Sequence, residues 1–213
     1  MAVDFRVYLI TDRKQAKGGD ILAAVAAALD GGIRAVQLRE KDLGGRELFR
    51  LAEAMRRLTA RYKARLLVND RIDVAYAAGA DGVHLGRDDM PVAQARSRLP
   101  SAIIGVSCYA QPESARAARA AGADYVAIGS VFASATKPSA VRAPLEMIAS
   151  AKRAGGLPVA AIGGIDARNA ADAVAAGADM LAVISALFGA PDTGAAARAL
   201  SRCFDESEET HDV

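Results

Sequence analysis

The sequence contains little of what several classes of catalytic and structural site require. Its only two cysteines, Cys108 and Cys203, do not form a CxxC pair and have no further cysteines as partners. We therefore expect neither a disulfide framework nor a zinc site. The only histidines are His84 and His211, and the sequence has neither a nucleophile elbow nor a lysine at the centre of a predicted strand. Nothing in it thus indicates covalent catalysis.

Long apolar runs and an excess of one charge are missing as well. No run approaches the roughly 18 apolar residues of a membrane span, and charged residues interrupt any signal-peptide core in the first 20 positions. The formal net charge is +2, and the basic residues are scattered, whereas nucleic-acid binders cluster them on one face. We expect a cytoplasmic protein that has neither nucleic acid nor a membrane as a partner.

What the sequence does contain is a regular alternation of two kinds of segment. Eight short apolar runs occupy residues 7–10, 35–38, 66–68, 82–85, 103–106, 125–128, 159–162 and 180–184. They are separated by segments of helical period, such as 20–30, 46–63, 112–121, 144–154 and 167–176. Apolar strands that alternate with helices indicate a covered parallel sheet, and eight of them predict a single (β/α)8 TIM barrel. The alternative, an open doubly wound sheet, usually has a glycine-rich fingerprint after its first strand, which YLITDR lacks.

A short internal repeat supports the barrel. AAGAD occurs at 77–81, 120–124 and 175–179, each time just before a predicted strand, where its glycine ends a helix. A chain of 213 residues that is 52% hydrophobic can fold as one domain of this kind. We place the catalytic barrel at 1–204 and predict that the acidic tail at 205–213 is disordered.

Charged side chains follow the second predicted strand, at the end of a TIM barrel where active sites lie. Arg39 and Lys41 are two residues apart on an extended segment, so they point to the same side and can share one polyanion. The alternative is a surface ion pair with Glu40 or Asp42. The position at a strand end favours a functional role.

Two carboxylates follow the third and fourth predicted strands. Asp70 and Asp89 are hard oxygen ligands that can hold Mg²⁺ against substrate phosphates. The alternative is that they cap the helices that follow. Asp88 is the weaker candidate of its pair, and we expect it to cap the next short helix.

The later strands end in small and hydroxyl-bearing residues, which are typical of a phosphate site. Ser134, Thr136 and Lys137 follow strand 6, the pair Gly163-Gly164 follows strand 7, and Ile184-Ser185 follow strand 8. Loops after strands 7 and 8 commonly bind phosphate in this fold. We expect the loop at 129–140 to act as a lid, and we expect His84, which lies inside strand 4, to be a packed core residue.

Taken together and in order, several stretches resemble the thiamine phosphate synthase family. They are YLITDR, QLREKD, LLVNDRIDVA, GADGVHLGRDDMP, IIGVSCY, GADYVAIGSVFASATKP, VAAIGGI and GADMLAVISALF, between about Tyr8 and Phe188. The resemblance implies the same fold and a reaction that joins 4-amino-2-methyl-5-(diphosphooxymethyl)pyrimidine to a thiazole ethyl phosphate. Thiamine phosphate forms and pyrophosphate leaves. The implied mechanism is dissociative, with Mg²⁺ as the cofactor.

The resemblance also implies roles for individual residues. The pyrimidine diphosphate would contact Gln37, Leu38, Arg39, Glu40, Lys41, Asn69, Ser107 and Lys137. The thiazole phosphate would contact Ser134, Ala135, Thr136, Gly164, Ile184 and Ser185, and Mg²⁺ would bind Asp70 and Asp89. The catalytic residues would be Arg39, Lys41, Ser107 and Lys137. The two phosphorylated substrates are the expected partners, and a homodimer is kept open as the assembly state.

The sequence departs from the family pattern at two places. Ala133 stands where many members have a proline, and Cys108-Tyr109 stand where others often have a small residue and a histidine. Two other functions remain as alternatives: a thiazole phosphate tautomerase with the same barrel, and a noncatalytic sensor of a thiamine precursor. The clamp of Arg39 and Lys41, together with the carboxylate pair, favours the synthase over both.

Overall fold

The computed structural model describes residues 5–134 and 141–211. Its strands are β1 Val7–Ile10, β2 Ala35–Leu38, β3 Arg65–Asn69, β4 Gly82–Leu85, β5 Ile103–Tyr109, β6 Tyr125–Gly129, β7 Val159–Ile162 and β8 Met180–Val183. All neighbouring strands pair in parallel and in chain order, and β8 pairs with β1. The barrel is therefore closed, and the predicted (β/α)8 TIM barrel is confirmed.

Helices cover the outside of the barrel between the strands. They are α1 Ile21–Asp30, α2 Gly45–Arg61, α3 Ile72–Ala77, α4 Val92–Arg98, α5 Ser114–Ala120, α6 Glu146–Gly155, α7 Ala170–Ala175, α8 Ser185–Phe188 and α9 Thr193–His211, with a short 3-10 helix at Lys17–Gly19. No helix within the described ranges is both long and apolar enough to cross a bilayer.

Two apolar layers hold the barrel together because successive residues of a strand point to opposite faces. Leu9, Val36 and Leu66 point outward and pack against the helices. A smaller cluster fills the inside of the barrel, where Tyr8 and Tyr125 are its largest members. This inner cluster forms the floor on which the loops at the carboxyl ends of the strands are built.

The AAGAD repeat has a structural role at the opposite end of the barrel. Its aspartates, Asp81, Asp124 and Asp179, each accept a backbone N–H from the start of a neighbouring strand. The donors are Leu66, Ile104 and Val159, at 2.9, 2.7 and 2.9 Å. Each aspartate also pairs with a cation, namely Arg65, Arg96 and Lys152 respectively. The repeat therefore ties the amino-terminal ends of the strands together.

Several predicted boundaries differ from the structure, two of them near the carboxyl terminus. Strand β8 ends at Val183, because the backbone at Ile184 turns away to begin α8. Helix α9 runs to His211, so most of the segment at 205–213 is helical where we expected disorder. The reason is that elongation of an established helix avoids the cost of nucleation. The helix packs on α1 and α7, and Asp205 pairs with Arg6.

Candidate active site

A cavity of about 600 Å³ opens at the carboxyl ends of the strands. Most of the predicted site residues line it: Gln37, Arg39, Glu40, Lys41, Asn69, Asp70, Asp89, Ser107, Ser134, Gly164, Ile184 and Ser185. The structure thus brings together residues that follow seven different strands. The predicted contacts at Ala135, Thr136 and Lys137, and the second half of the predicted lid, lie outside the described residues.

The end of β2 presents the predicted cations to the cavity. Gln37, Arg39 and Lys41 face it, whereas the side chain of Leu38 is buried in the outer layer against the helices. A contact between Leu38 and a ligand in this cavity would therefore have to use its backbone. Lys41 Nζ lies 3.2 Å from Asp70 Oδ2. The clamp therefore adjoins the carboxylates.

The carboxylate of Glu40 turns away from the clamp and orders the neighbouring loop. Its Oε1 accepts from Thr11 Oγ1 at 2.9 Å and from the backbone N–H of Arg13 at 3.2 Å. Thr11 Oγ1 in turn accepts the N–H of Arg39 at 2.8 Å. Glu40 thus forms no surface ion pair with Arg39 or Lys41. Burial raises the pKa of the Glu40 carboxyl above its usual value.

Replacement of Glu40 by glutamine should change the pH dependence of stability. Because the folded-state pKa of Glu40 is raised, its contribution to stability is present at low pH and is lost as pH rises through that pKa. The Glu40→Gln variant keeps an acceptor for Thr11 and does not ionise. We expect the stability of the variant relative to wild type to increase with pH, measured by urea unfolding between about pH 4 and 8.

The matched change Glu40→Ala removes the acceptor and leaves the Thr11 hydroxyl and the Arg13 N–H without it. We expect Glu40→Ala to be less stable than Glu40→Gln by about 2 kcal/mol at all pH values in that range, because neither variant ionises at this position. A constant difference between wild type and Glu40→Gln across the range would contradict the proposed burial effect.

The two predicted metal-binding carboxylates lie side by side. Asp89 Oδ2 accepts the backbone N–H of Gly86 at 2.6 Å. The pKa of Asp89 is raised, first by burial and then by a hydrogen bond to Asp70 and by the charge of that residue. Asp70 has a left-handed backbone, with φ of 62°. Such a φ is uncommon outside glycine and is tolerated best by Asp and Asn.

The alternative that these aspartates cap helices is wrong. Helix α3 begins after Arg71 and α4 after Pro91, and neither helix has a side-chain cap. Asp88 therefore does not cap α4 either. The carboxylates at this edge are left facing the cavity.

The carboxylate pair fits Mg²⁺ by its chemistry. Two acidic groups close enough to share a hydrogen bond repel each other when both are ionised, and a divalent cation removes that repulsion. No group of three or more His, Cys, Asp or Glu side chains suitable for a metal occurs within 5–134 and 141–211. Mg²⁺ typically uses one or two carboxylates and completes its shell with water and phosphate oxygens. Asp70 and Asp89 suit an ion that binds together with a phosphorylated ligand.

The opposite wall is formed by the loops after β6 and β7. Phe132 N–H donates to Gly163 O at 2.9 Å, so the two loops are joined. Gly164 has φ of 65°, and a Cβ at this position would overlap the carbonyl of Ala133. Only glycine suits both the backbone angle and the close approach. The pair Gly163-Gly164 thus holds Ser134 at the cavity wall.

A buried chain of hydrogen bonds crosses the barrel beneath the cavity. Gln37 Nε2 donates to Tyr8 Oη at 2.8 Å, and Tyr125 Oη donates to the same oxygen at 2.9 Å. His84 Nδ1 lies 2.9 Å from Tyr125 Oη, and His84 Nε2 lies 2.9 Å from Ser107 Oγ. Burial lowers the pKa of His84 to about 4, so the ring is neutral at pH 7. The chain links two predicted substrate contacts, Gln37 and Ser107.

The sequence did not predict the hydrogen bonds that join Tyr8, Tyr125 and His84. His84 is buried, as predicted, but it also lines the cavity, and so does Tyr8. The available signal was a polar or aromatic hydroxyl residue at an inward-facing position of an otherwise apolar strand, as in VYLI, AVQL, GVHL and YVAI. The rim residues Arg87 and Tyr109 were missed as well. The guanidinium of Arg87 lies 4.9 Å from the centre of the Tyr109 ring.

The chain is similar to known proteins along most of its length. Residues 7–187 match the family model described as thiamine monophosphate synthase. Over 201 residues the chain is 53% identical to a putative thiamine-phosphate synthase of Geobacter sulfurreducens, covering 93% of each chain. It is 54% identical over 185 residues to thiamine-phosphate synthase of Chromobacterium violaceum, covering 86% of this chain and 89% of that one.

Among solved structures, thiamine phosphate pyrophosphorylase from Pyrococcus furiosus superimposes with a TM-score of 0.86 at 40% identity, covering 94% of this chain and 96% of that one. The fold and the polar cavity at the carboxyl ends of the strands define a TIM-barrel enzyme. The chain belongs to the thiamine monophosphate synthase family, and it is a transferase.

Proposed function

We propose that this enzyme condenses 4-amino-2-methyl-5-(diphosphooxymethyl)pyrimidine with 4-methyl-5-(2-phosphooxyethyl)thiazole to give thiamine phosphate and pyrophosphate. The observation that carries the proposal is the pairing of cations with carboxylates in one cavity. Lys41 lies against Asp70, and Arg39 faces the same space. A diphosphate with its Mg²⁺ needs both kinds of group within one site.

Arg39 and Lys41 bind the diphosphate and stabilise the charge that develops as it leaves. In the described part of the chain Arg39 forms no ion pair, so its guanidinium is available for a ligand. Asn69 is the last residue of β3, Ser107 lies near the end of β5, and both bind the same substrate. Lys137 is assigned to the diphosphate by the family resemblance alone. Asp70 and Asp89 would hold Mg²⁺, which would supply further neutralisation of the leaving group.

The reaction needs no general base, which agrees with the residues at the cavity floor. The bond between the pyrimidine methylene and the diphosphate oxygen breaks first, and the electron pair leaves with the diphosphate. The thiazole nitrogen then captures the methylene cation with its own lone pair, so no proton is removed. Accordingly His84 is neutral, and both of its ring nitrogens are occupied by hydrogen bonds.

The thiazole phosphate binds on the other side of the cavity. Ser134, Gly164, Ile184 and Ser185 lie there, and the family resemblance adds Ala135 and Thr136. In this proposal the two substrates lie side by side above the barrel floor. Holding both reactants in line supplies much of the remaining rate advantage.

The direct experiment incubates the purified protein with both substrates, with Mg²⁺ or with EDTA, and measures thiamine phosphate and pyrophosphate together. We expect equal amounts of the two products with Mg²⁺ and almost none with EDTA. The control omits the thiazole phosphate. If no product forms while thiazole phosphate still binds by calorimetry, the tautomerase and the sensor become the better assignments.

A further inference from the structure

The hydroxyl of Tyr8 is the junction of the buried hydrogen-bond chain, and its bonding capacity is nearly filled. A phenol oxygen can accept two hydrogen bonds and donate one. Tyr8 Oη accepts from Gln37 Nε2 at 2.8 Å and from Tyr125 Oη at 2.9 Å. Only the hydrogen of the Tyr8 hydroxyl is left to form a further bond.

Counting donors and acceptors also shows which group donates in each of the other hydrogen bonds. Because the hydrogen of Tyr125 is directed to Tyr8, the contact of 2.9 Å between Tyr125 and His84 must be donated by His84 Nδ1. A neutral imidazole carries one N–H, so His84 Nε2 is an acceptor. It then receives the hydroxyl hydrogen of Ser107, which lies 2.9 Å away. Each hydrogen bond is therefore donated in the same direction, from Ser107 through His84 and Tyr125 to Tyr8.

The hydrogen of the Tyr8 hydroxyl is directed to neither Gln37 nor Tyr125. In the part of the chain that the structure describes, no protein acceptor receives it, and Tyr8 lines the cavity floor. The same holds for the amide oxygen of Gln37. Among the described residues, every fully buried side-chain oxygen has a hydrogen-bond partner. The amide oxygen of Gln37 has no protein donor, so it is not fully buried and is open to the cavity. A donor and an acceptor therefore face the ligand side by side.

We propose that Tyr8 is a specificity-determining residue that donates a hydrogen bond to a ring nitrogen of the pyrimidine, while Gln37 accepts from the adjacent amino group. A 4-aminopyrimidine presents this acceptor and donor next to each other. A 4-oxopyrimidine presents the reverse order, with a ring N–H beside a carbonyl. Tyr125 does not line the cavity, and it acts with His84 as a positioning residue that fixes the direction of the Tyr8 hydroxyl. This inference rests on the proposed function.

The first test measures ligand selectivity by calorimetry. The probes are 4-amino-5-hydroxymethyl-2-methylpyrimidine and its 4-oxo analogue, each titrated in the presence of Mg²⁺ and pyrophosphate. We expect wild type to favour the amino compound by about 100-fold or more. The Tyr8→Phe variant should lower this ratio at least about tenfold. Its affinity for thiazole phosphate should be unchanged, and this second ligand serves as the control for folding.

The second test determines the direction of hydrogen-bond donation and does not need a variant of Tyr8. The ¹⁵N chemical shifts of an imidazole distinguish the two tautomers, and the chain has only one other histidine, His211. A His211→Asn variant leaves a single ring to observe. We expect His84 to carry its hydrogen on Nδ1 at pH 7 without ligand. In Tyr125→Phe the Nδ1 site loses its acceptor, so the ¹⁵N signals should shift.

Two results would overturn the inference. A hydrogen on Nε2 of His84 would reverse the chain and direct the Tyr8 hydrogen to Tyr125 instead of the cavity. An unchanged selectivity ratio in Tyr8→Phe would show that the hydroxyl does not select the ligand. These failures differ from failure of the proposed function, in which wild type makes no thiamine phosphate from the two substrates.

Discussion

The Asp70→Asn variant should fold normally and lose turnover by about 10³-fold, because it removes one of the two carboxylates that we propose hold Mg²⁺ against the departing diphosphate. Asparagine is the informative replacement. It tolerates the left-handed backbone at this position, where φ is 62°, as well as aspartate does. Only the charge is lost. The measurement is kcat at saturating substrates over a range of Mg²⁺ concentrations, with circular dichroism as the test of folding.

Asp88→Asn is the matched control because it neutralises an exposed carboxylate next to Asp89. Asp88 also lines the cavity, but it is not one of the two proposed metal ligands, so its variant should keep turnover within about threefold of wild type. The metal assignment would be refuted if Asp70→Asn retained normal turnover. It would also be refuted if both variants lost activity equally.

Replacement of Gly105 by alanine should destabilise the protein by about 3 kcal/mol or prevent folding, because the barrel floor is overpacked. A Cβ at this position would overlap the ring of Tyr125. That ring cannot move aside without losing its hydrogen bonds to Tyr8 and His84. It is also packed edge to face against Phe5, with 6.1 Å between the ring centres. Urea unfolding gives the change in free energy.

Gly45→Ala is the matched control on the surface. An added Cβ there would meet only the guanidinium of Arg71, at an ordinary distance of 3.6 Å. The residue begins α2, where alanine is a better helix former than glycine. We therefore expect stability equal to wild type or higher by up to about 1 kcal/mol. Equal losses in the two variants would argue against steric overlap as the cause at Gly105.

Much of the site was predictable because it depends on strand order and on alternation along each strand. Eight apolar runs in a parallel barrel bring the residues after every strand to one end. Asp70 and Asp89 follow different strands, and their proximity was expected on this ground alone. The side chains of Gln37, Arg39 and Lys41 share one face since they are two residues apart. The same rule turns the side chain of Leu38 outward, so that its predicted contact would have to use the backbone.

The hydrogen-bond chain and the role of Glu40 were not predictable in the same way. Tyr8 and Tyr125 lie on opposite sides of the barrel, and their hydroxyls meet only because both rings reach its centre. Sequence spacing carries no information about such a meeting. Glu40 follows a strand end, as a ligand contact would, but its direction is set by Thr11 on another loop. Both features depend on three-dimensional register between segments far apart in the chain.

The aspartates of the AAGAD repeat have a consequence for how this enzyme can change over generations. Asp81, Asp124 and Asp179 fasten the strands at the end of the barrel remote from the substrates. Substitutions that strengthen this end can offset destabilising substitutions in the loops of the cavity, without altering the groups that touch a ligand. New substrate preferences can therefore be explored at one end while the other preserves the fold.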